Sequence, residues 1–394
     1  MKKLIFSVVL LFVFIQVKAQ NLQGKVVDEV TGDGIPFVSV TIIGTNNATV
    51  TNENGFFLIK AATLPFKLRV SHVSYNSGDV EISSLEQSLT VKLSPATIIL
   101  NEITVDPFRG QKILQAALEK AGENLSNNFY SNAFYRQLTS INGRASQIYE
   151  LFYDLRWNTS RIQGWSAKQS RYAELNEQVA FSMNNQSYLT FLYSGYLLPE
   201  KGGRFVGLKT FKDYDITIEK YIERPNQTIA VISCKYKKSK RGLYYINSTY
   251  YVGVENSKIY RLENSIFNLP IRLSDASMKY PPVVTTISTF SGDLHPIPIL
   301  ESVSTKVLLN LVVRGQDLTS NISSLLTVYK VDEDLKKQNF EALNRNVKDR
   351  NVVESLKYDP EFWKNNPIVK QTTLEDSFIK MMESKAAFGT MTNP

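Results

Sequence analysis

The stretch GKVVDEVTGDGIPFVSVTIIGT, residues 24–45, decides the fold of the N-terminal part of this chain. It contains two apolar runs, residues 24–28 and 35–42, on either side of the turn sequence Thr31–Gly34. In the second run apolar side chains alternate with other side chains, which is typical of a half-buried strand. Glycine in the turn adopts a positive φ at low cost. We therefore expect two short strands joined by a tight turn.

The same pattern continues to about residue 98. Two more turns and three more short apolar runs follow, at 44–47, 52–55, 56–59, 68–71 and 89–93. Strands at this close spacing are typical of an all-β sandwich. The sequence therefore predicts a small β-sandwich over residues 21–98.

The motifs of this region occur in a specific order. They are Gly24-x-Val26-x-Asp28, Pro36-x-Val38-x-Val40, Gly44-Thr45, Thr51-Asn52-x-x-Gly55-x-Phe57, Val70-Ser71 and Tyr75. This order resembles the carboxypeptidase regulatory-like domain and covers about a fifth of the chain. The resemblance implies a transthyretin-like sandwich in an exported envelope protein of Gram-negative bacteria, without the catalytic site of the zinc carboxypeptidases. Ala48 and Asn52 replace the commoner Gly and Asp, which affects turns rather than the core.

The first 20 residues have the features of a secretory signal peptide. Lys2 and Lys3 precede the apolar run Leu4–Ile15, and the exit segment Val17-Lys18-Ala19-Gln20 follows it, with cleavage expected near Ala19 or Gln20. The apolar run is too short to span a bilayer comfortably. No cysteine follows it, which argues against a lipid anchor. A retained N-terminal anchor is the alternative.

Charge and hydropathy restrict the location and the partners. Loss of the signal peptide reduces the formal charge from +8 to about +5, which is mild and gives no concentrated basic face for nucleic acid. No later apolar run reaches the roughly 18 residues of a membrane helix. We expect a protein of the periplasm or the outer-membrane periphery, with peripheral membrane contact at most. The oligomeric state is left open.

Cysteine and histidine are too scarce for common metal and redox sites. The 394-residue chain has one cysteine, so no internal disulfide can form. We expect Cys234, at the end of an apolar run, to be a buried strand residue. The two histidines, His72 and His295, lack the spacing of zinc ligands, and we place them at a strand end and in a proline-rich turn. We expect no metal and no cofactor.

A junction follows over residues 99–128. The segment 100–105 resembles the peptide that links this domain to the plug of TonB-dependent receptors, but the remaining 290 or so residues are too few for a receptor barrel. We interpret it as a last strand or linker, with addition to a partner's sheet edge as the alternative. Asp106 and Pro107 predict a helix start. The helix would run to about Gly122, with a packing stripe of Ile113, Leu114, Ala117, Leu118 and Ala121.

The remainder predicts a second, larger β region. Residues 129–335 read as successive hairpins of an antiparallel sheet, with a loose resemblance to the half-barrel of LolA-like lipoprotein carriers. For residues 336–394 we expect helices and a frayed tail. The charged segment Asp332–Asn344 favours a helix, and an apolar stripe favours docking on the sheet: Leu374, Phe378, Met381 and Met382. The predicted fold is mainly β (α+β overall), a sandwich, a helix and a larger antiparallel sheet with flanking helices.

Three features compete as candidate sites. The basic turn Lys235–Arg241 suits a charged hairpin tip or contact with lipid phosphates. Glu150 and Asp154 share one face of a strand-like run, as a carboxylate pair or as solvated positions. Aromatic clusters suit core and sheet-face packing, with sugar stacking or the lining of a hydrophobic pocket as the alternatives: Trp157, Trp165, Tyr188, Phe191, Tyr193, Tyr196, Tyr244, Tyr245, Tyr250 and Tyr251. We assign no catalytic, cofactor-binding or metal-binding residue.

Three functional hypotheses follow. We favour a non-catalytic envelope protein that binds or scaffolds a protein partner, glycan or lipid. The first alternative is a periplasmic carrier of a hydrophobic ligand in a half-barrel. The second is a hydrolase with a carboxylate pair, although the sequence has no nucleophile elbow, phosphate loop or metal-ligand spacing.

Overall fold

The computed structural model describes most of the chain after residue 20. The described residues are 21–85, 88–100, 106–175, 183–198, 204–239, 242–271, 273, 276–291, 297–366 and 368–389. The predicted signal peptide, residues 101–105, His295 and the C-terminal tail therefore lie outside them. Within these ranges the fold is mainly β, as the sequence predicts, with two small sheets near the N-terminus and one large antiparallel sheet.

The N-terminal strands form a sandwich of two sheets. Its strands are β1 (Asn21–Asp28), β2 (Ser39–Ile42), β3 (Ala48–Val50), β4 (Phe56–Lys60), β5 (Phe66–Ser71), β6 (Gly78–Ile82) and β7 (Leu89–Leu93). One sheet has the order β4-β1-β7 and the other β3-β2-β5-β6. Apolar residues of both sheets share one core, including Val26, Val40, Phe57 and Leu68.

The start of β2 differs from the sequence prediction, and the turn at Gly55 explains why the sequence has glycine there. The run 35–42 was expected to be one strand, but the strand begins only at Ser39, because Phe37 has φ +57° and interrupts the extended backbone. Gly55 has φ +82°, and a Cβ there would lie 2.5 Å from the carbonyl oxygen of Val26. Only glycine fits this turn without moving β1.

The large sheet contains the remaining described strands. They are β8 (Thr97–Leu100), β9 (Phe129–Ile141), β10 (Arg144–Trp157), β11 (Ile162–Glu174), β12 (Tyr214–Arg224), β13 (Gln227–Tyr236), β14 (Tyr245–Gly253), β15 (Ile259–Phe267), β16 (Ala276–Met278), β17 (Val283–Ser291), β18 (Ile299–Val313), β19 (Gln316–Val331) and β20 (Glu341–Ala342). The order is β20-β11-β10-β9-β19-β18-β17-β15-β14-β13-β12-β8, with β16 paired to β18. Most neighbours are successive hairpins, as expected. The long-range pairing of β9 with β19 joins the two hairpin series.

Five α-helices accompany the described strands. They are α1 (Arg109–Glu123), α2 (Gln186–Leu192), α3 (Asp349–Glu354), α4 (Pro360–Asn365) and α5 (Thr373–Ser384). None of these described helices is long and apolar enough to cross a membrane. The helix expected at Asp106 begins three residues later. Asp106 instead accepts a hydrogen bond from the backbone of Phe108 at 3.0 Å, so it caps the preceding turn.

The helix expected over Asp332–Asn344 is wrong. This segment forms a short 3₁₀ turn, Glu333–Lys337, followed by β20, which pairs with β11. Leu335 is the one buried residue of the turn, so the segment has no apolar stripe that would hold a helix on the core. The charged side chains remain in water while the backbone extends the sheet.

The two faces of the large sheet have different coverings. The inner face packs against α1, α2 and α3 and contains the main core, with Tyr135, Trp157 and Tyr250 among the buried side chains. The outer face packs against the sandwich at one end and against α4 and α5 at the other. Phe378 and Met382 of α5 are buried there and Met381 packs beside them, so this part of the C-terminal stripe docks on the sheet, whereas Leu374 is exposed.

Candidate functional site

The described part of the inner face is filled by the protein itself. Side chains of β9, β10 and β13–β19 pack there against α1 and α2, and the aromatic clusters of the sequence contribute Trp157, Phe191, Tyr193 and Tyr250. Roomy clefts in this part of the molecule open instead on the outer face. The candidate site is therefore built on that face.

A cleft of about 360 Å³ lies where the sandwich, the outer face and the start of α5 meet. We call it the junction cleft. Its lining consists of Phe37 and 52–54 from the sandwich, side chains of β9, β18 and β19, and residues 369, 370 and 372–375. This volume falls within the range of small-molecule sites.

Asn52 holds two walls of the junction cleft together. Its side-chain nitrogen donates hydrogen bonds to the carbonyl oxygens of Lys370 and Gln371, both at 3.1 Å. Its side-chain oxygen accepts from the backbone nitrogens of Asn54 and Phe56, at 2.9 and 3.0 Å. An aspartate could supply the acceptor but not the donor. The sequence predicted an effect on the turn alone and missed this second role.

Phe37 lies in the wall of the cleft in the left-handed region, with φ +57°. This conformation is rare for a bulky side chain and costs on the order of 1–3 kcal/mol. Its backbone nitrogen donates to the carbonyl oxygen of Thr51 at 3.1 Å, and the Thr51 hydroxyl accepts from the backbone of Val38 at 2.9 Å. Thr51 therefore holds the strained turn in place, and the half-buried ring lines the cleft.

A buried ionic network lies beneath the cleft. Arg136, Glu150 and Arg171 face one another across β9, β10 and β11. Glu150 is fully buried, its oxygens accepting from Arg136 Nε at 2.6 Å and from Arg171 Nε. Burial would raise the pKa of Glu150, but Arg171 and Arg136 outweigh burial and hold that pKa below its usual value. Glu375 at the start of α5 lies 3.5 Å from Arg136 Nη1.

The two carboxylates considered as a catalytic pair, Glu150 and Asp154, each form salt bridges with basic side chains. Asp154 lies on the same outer face as Glu150 and is buried as well. It pairs with Lys168 Nζ at 2.9 Å and accepts from Asn132 Nδ2 at 2.8 Å. Each carboxylate thus has its own cationic partner within the protein.

Comparison with known proteins identifies the sandwich. Residues 22–105 match the family described as CarboxypepD_reg-like domain, as the motif order predicted. The N-terminal part of the chain is a CarboxypepD_reg-like domain. Two residues of the motif series meet in it, because the Tyr75 hydroxyl donates to Asp28 Oδ2 at 2.8 Å.

Two further comparisons were made, with curated protein sequences and with solved structures. No curated protein sequence matches this chain. Among solved structures, a DUF1329 family protein from Desulfovibrio piger is 12% identical, with a TM-score of 0.25 over 60% of this chain and 98% of that protein. MucB in complex with MucA(peri) is 8% identical, with a TM-score of 0.17 over 58% of this chain and 95% of that one.

His72 lies at the seam between the CarboxypepD_reg-like domain and the large sheet. Its Nε2 is 3.3 Å from Arg261 Nη1, and Arg224 donates to its carbonyl oxygen. Burial, Arg261 and Arg224 lower the pKa of His72 to about 3, so the ring is neutral at physiological pH. His72 directly follows β5, as expected. In the ranges that the structure covers, no three His, Cys, Asp or Glu side chains are grouped to hold a metal ion.

Two further candidates from the sequence, Cys234 and the basic turn Lys235–Arg241, have contacts within the protein. Cys234 is fully buried on β13, and burial raises the pKa of its thiol, so the reactive thiolate is disfavoured. In the basic turn, Lys237 donates to the carbonyl oxygen of Lys212 at 3.1 Å and lies 3.8 Å from Asp215. Lys240 and Arg241 lie outside the described residues.

Sequence reasoning missed the buried carboxyl group of Asp349. This first residue of α3 accepts hydrogen bonds from the backbone nitrogen of Ser187, at 3.3 Å, and from its hydroxyl. Burial raises the pKa of Asp349 to about 7. No local signal marks it, because its burial depends on packing between α3 and α2, 162 residues away in sequence.

A second outer-face cleft of about 570 Å³ lies between α4 and the end of α5. The guanidinium of Arg171 is stacked between Trp363 and Phe388, at 4.6 and 4.8 Å from the ring centroids, and Tyr358 completes the aromatic wall. Arg171 also lies 3.2 Å from Glu383. The walls of this cleft are thus tied to the ionic network under the junction cleft.

Proposed function

We propose that this protein is an exported, non-catalytic binding module of the cell envelope, and that the junction cleft is its ligand site. The observation that carries the proposal is the convergence of three distant parts of the chain on one cleft. Asn52 joins two of its walls, and the strained turn at Phe37 forms part of it. Strained backbone persists where the surrounding structure fixes it, often at binding sites.

The location rests on the leader-like N-terminus and on the CarboxypepD_reg-like domain at residues 22–105. Export to the periplasm or to the periphery of the outer membrane of a Gram-negative cell remains part of the proposal. An envelope protein, a glycan or a lipid are the ligand classes that this location supplies.

Packing on the sheet favours binding at the outer face over the carrier alternative. A carrier needs a continuous apolar concavity for an acyl chain. The described inner face is instead occupied by Leu114 and Leu118 of α1 and Phe191 of α2. The junction cleft contains polar as well as apolar groups, which suits a ligand held by hydrogen bonds.

The ionic network argues against the hydrolase alternative. A glycoside hydrolase needs one carboxyl group with a raised pKa as the acid and a second carboxylate as its counterpart. The pKa of Glu150 is lowered, and Asp154 is paired with Lys168. Both groups therefore act as structural ions.

The test is native mass spectrometry of the mature protein purified from its own cells. Ser323 lies half-buried on the outer face of β19 and lines the cleft, so Ser323→Trp would fill it. Ser126→Trp, in an exposed turn, is the matched control. We expect a reproducible non-covalent mass on the wild type and on the control, and its loss from Ser323→Trp. A bare wild-type protein, or a mass retained by Ser323→Trp, contradicts the proposal; circular dichroism checks folding.

A further inference from the structure

We propose that the junction cleft binds a neutral, hydroxyl-rich ligand, a short saccharide. This inference rests on the proposed function and names the ligand class of the same site. It is carried by a contrast within the lining of the cleft. The charged groups have partners within the protein, whereas a set of neutral polar groups has none among the described residues.

Each charged group of the lining has a charged or polar partner within the protein. Glu53 pairs with Lys306 at 2.7 Å, and Lys370 Nζ donates to Gln23 Oε1 at 3.2 Å. Arg136 is held by Glu150, and Glu375 accepts from the backbone nitrogen of Thr372 at 2.7 Å. A charged ligand would have to break or compete with these contacts, so the cleft does not favour an anion or a cation.

The neutral polar groups of the lining, in contrast, lack hydrogen-bond partners among the described residues. In the described part of the chain, five side chains of the lining donate and accept no hydrogen bond: Asn54, Ser304, Asn321, Ser323 and Thr373. Ser304 is a largely buried residue whose hydroxyl is reached from the cleft, so a ligand hydroxyl can replace water as its hydrogen-bond partner. Hydroxyl and amide groups both donate and accept, as do the hydroxyl groups of a sugar. The chemistry of the two sets therefore matches.

An aromatic ring completes the site. Phe37 presents a half-buried ring to the cleft and is held at φ +57° by the contacts of Thr51. The C–H face of a sugar ring packs on an aromatic face, while its hydroxyls remain available to the polar groups of the opposite wall. This combination of one ring and several neutral hydrogen-bonding groups favours a saccharide over a purely apolar ligand.

Sheet pairing argues against an extended peptide as the ligand. β9 pairs with β10 and β19, β19 with β9 and β18, and β18 with β19 and β17. The backbone groups of these strands are therefore used within the sheet. A peptide that adds as a strand needs a free edge, and this part of the outer face offers side chains alone.

The test probes an array of neutral oligosaccharides, with sialylated and sulfated glycans included, using the full mature protein. Asn321→Leu combined with Ser323→Ala removes polar groups from two positions on the outer face of β19. Asn351→Leu, on the exposed side of α3, is the matched control. We expect the wild type and the control to bind the same neutral glycans, and the double variant to bind them about tenfold or more weakly, as two lost hydrogen bonds imply.

Three results would overturn the saccharide assignment. They are no retained neutral glycan, a preference for charged glycans, or unchanged binding by the double variant. Native mass spectrometry separates this failure from that of the proposed function. A bound lipid or peptide mass that Ser323→Trp loses would leave the cleft as the binding site and remove the saccharide. No bound mass on the wild type, together with no glycan binding, would remove both.

Discussion

Replacement of Glu150 by glutamine tests the buried ionic network most directly. Glu150→Gln keeps the size of the side chain but removes the charge shared by Arg136 and Arg171. Glu150 is fully buried, and the side chains of the two arginines are 6% and 8% exposed. Loss of one partner from a buried pair costs about 3–5 kcal/mol, because the remaining charge stays buried without compensation.

The structure narrows the expected loss to the lower part of that range. Arg136 keeps Glu375 at 3.5 Å, and Arg171 keeps Glu383 at 3.2 Å. Neither arginine is left without a carboxylate, but the side chain of Glu383 is 52% exposed and its interaction is screened by water. We therefore expect Glu150→Gln to lower the free energy of unfolding by ~3 kcal/mol.

Urea unfolding followed by tryptophan fluorescence measures this change. With a slope of about 3 kcal/mol/M, the midpoint would fall by ~1 M. Glu383→Gln removes a charge from the exposed end of the same network and serves as the control, with an expected loss below ~1 kcal/mol. Equal effects of the two variants would refute the reasoning, because burial would then add nothing to the interaction.

The pH dependence gives an independent check on Glu150. Its pKa in the folded state lies below the unfolded value of 4.5. The carboxylate therefore stabilises the fold above about pH 4.5, and this contribution is lost as the pH falls through the folded pKa. We expect Glu150→Gln to lose less stability than the wild type on acidification in this window. An identical acid dependence in both proteins would contradict the assignment.

Three further outcomes are expected. The pKa of Asp349 is about 7 in the folded protein and 3.8 in the unfolded chain, so this group stabilises the fold fully below about pH 4 and loses that contribution as the pH rises through 7. Asp349→Asn should therefore flatten the pH dependence of the melting temperature between pH 5 and pH 8. An unchanged slope in the variant would contradict this. Asn52→Asp should lose the hydrogen bonds to Lys370 and Gln371, which costs ~1–3 kcal/mol and speeds proteolysis of the C-terminal segment, while Asn54→Asp should not. Gly55→Ala should lower the free energy of unfolding by more than ~1 kcal/mol, measured by urea titration, because of its φ of +82°; a neutral effect would show that the turn can relax.

Sequence patterns predicted the elements better than their connections. The stripe of α1 is buried at Leu114, Ala117, Leu118 and Ala121, as its spacing indicated. Residues Thr97–Leu100, at the end of the predicted sandwich, pair instead with β12 of the large sheet. The interpretation of segment 100–105 as a last strand or linker falls mainly on residues 101–105, which lie outside the described residues. The local sequence of a strand does not specify which distant strand pairs with it, so the pairing with β12 could not be predicted from the sequence.

In the candidate site, too, the sequence predicted the positions of residues but not their partners. The i,i+4 spacing placed Glu150 and Asp154 on one face of a strand, and they lie on the same outer face. Their roles depend on Arg136, Arg171 and Lys168, which neighbouring strands supply. The chemistry of a carboxylate is set by the charges around it, and tertiary pairing decides those charges.

The sequence by itself determined the mainly β fold, the identity of the CarboxypepD_reg-like domain and the burial of residues such as Cys234. Periods of two and 3.6 residues, turn residues and motif order act over short distances along the chain, so they can be read directly. Only the tertiary structure decided the junction cleft, because Phe37, Asn52, Asn321 and Lys370 come from distant parts of the chain. Burial and hydrogen bonding depend on which segments meet in space, and that meeting is a property of the whole fold.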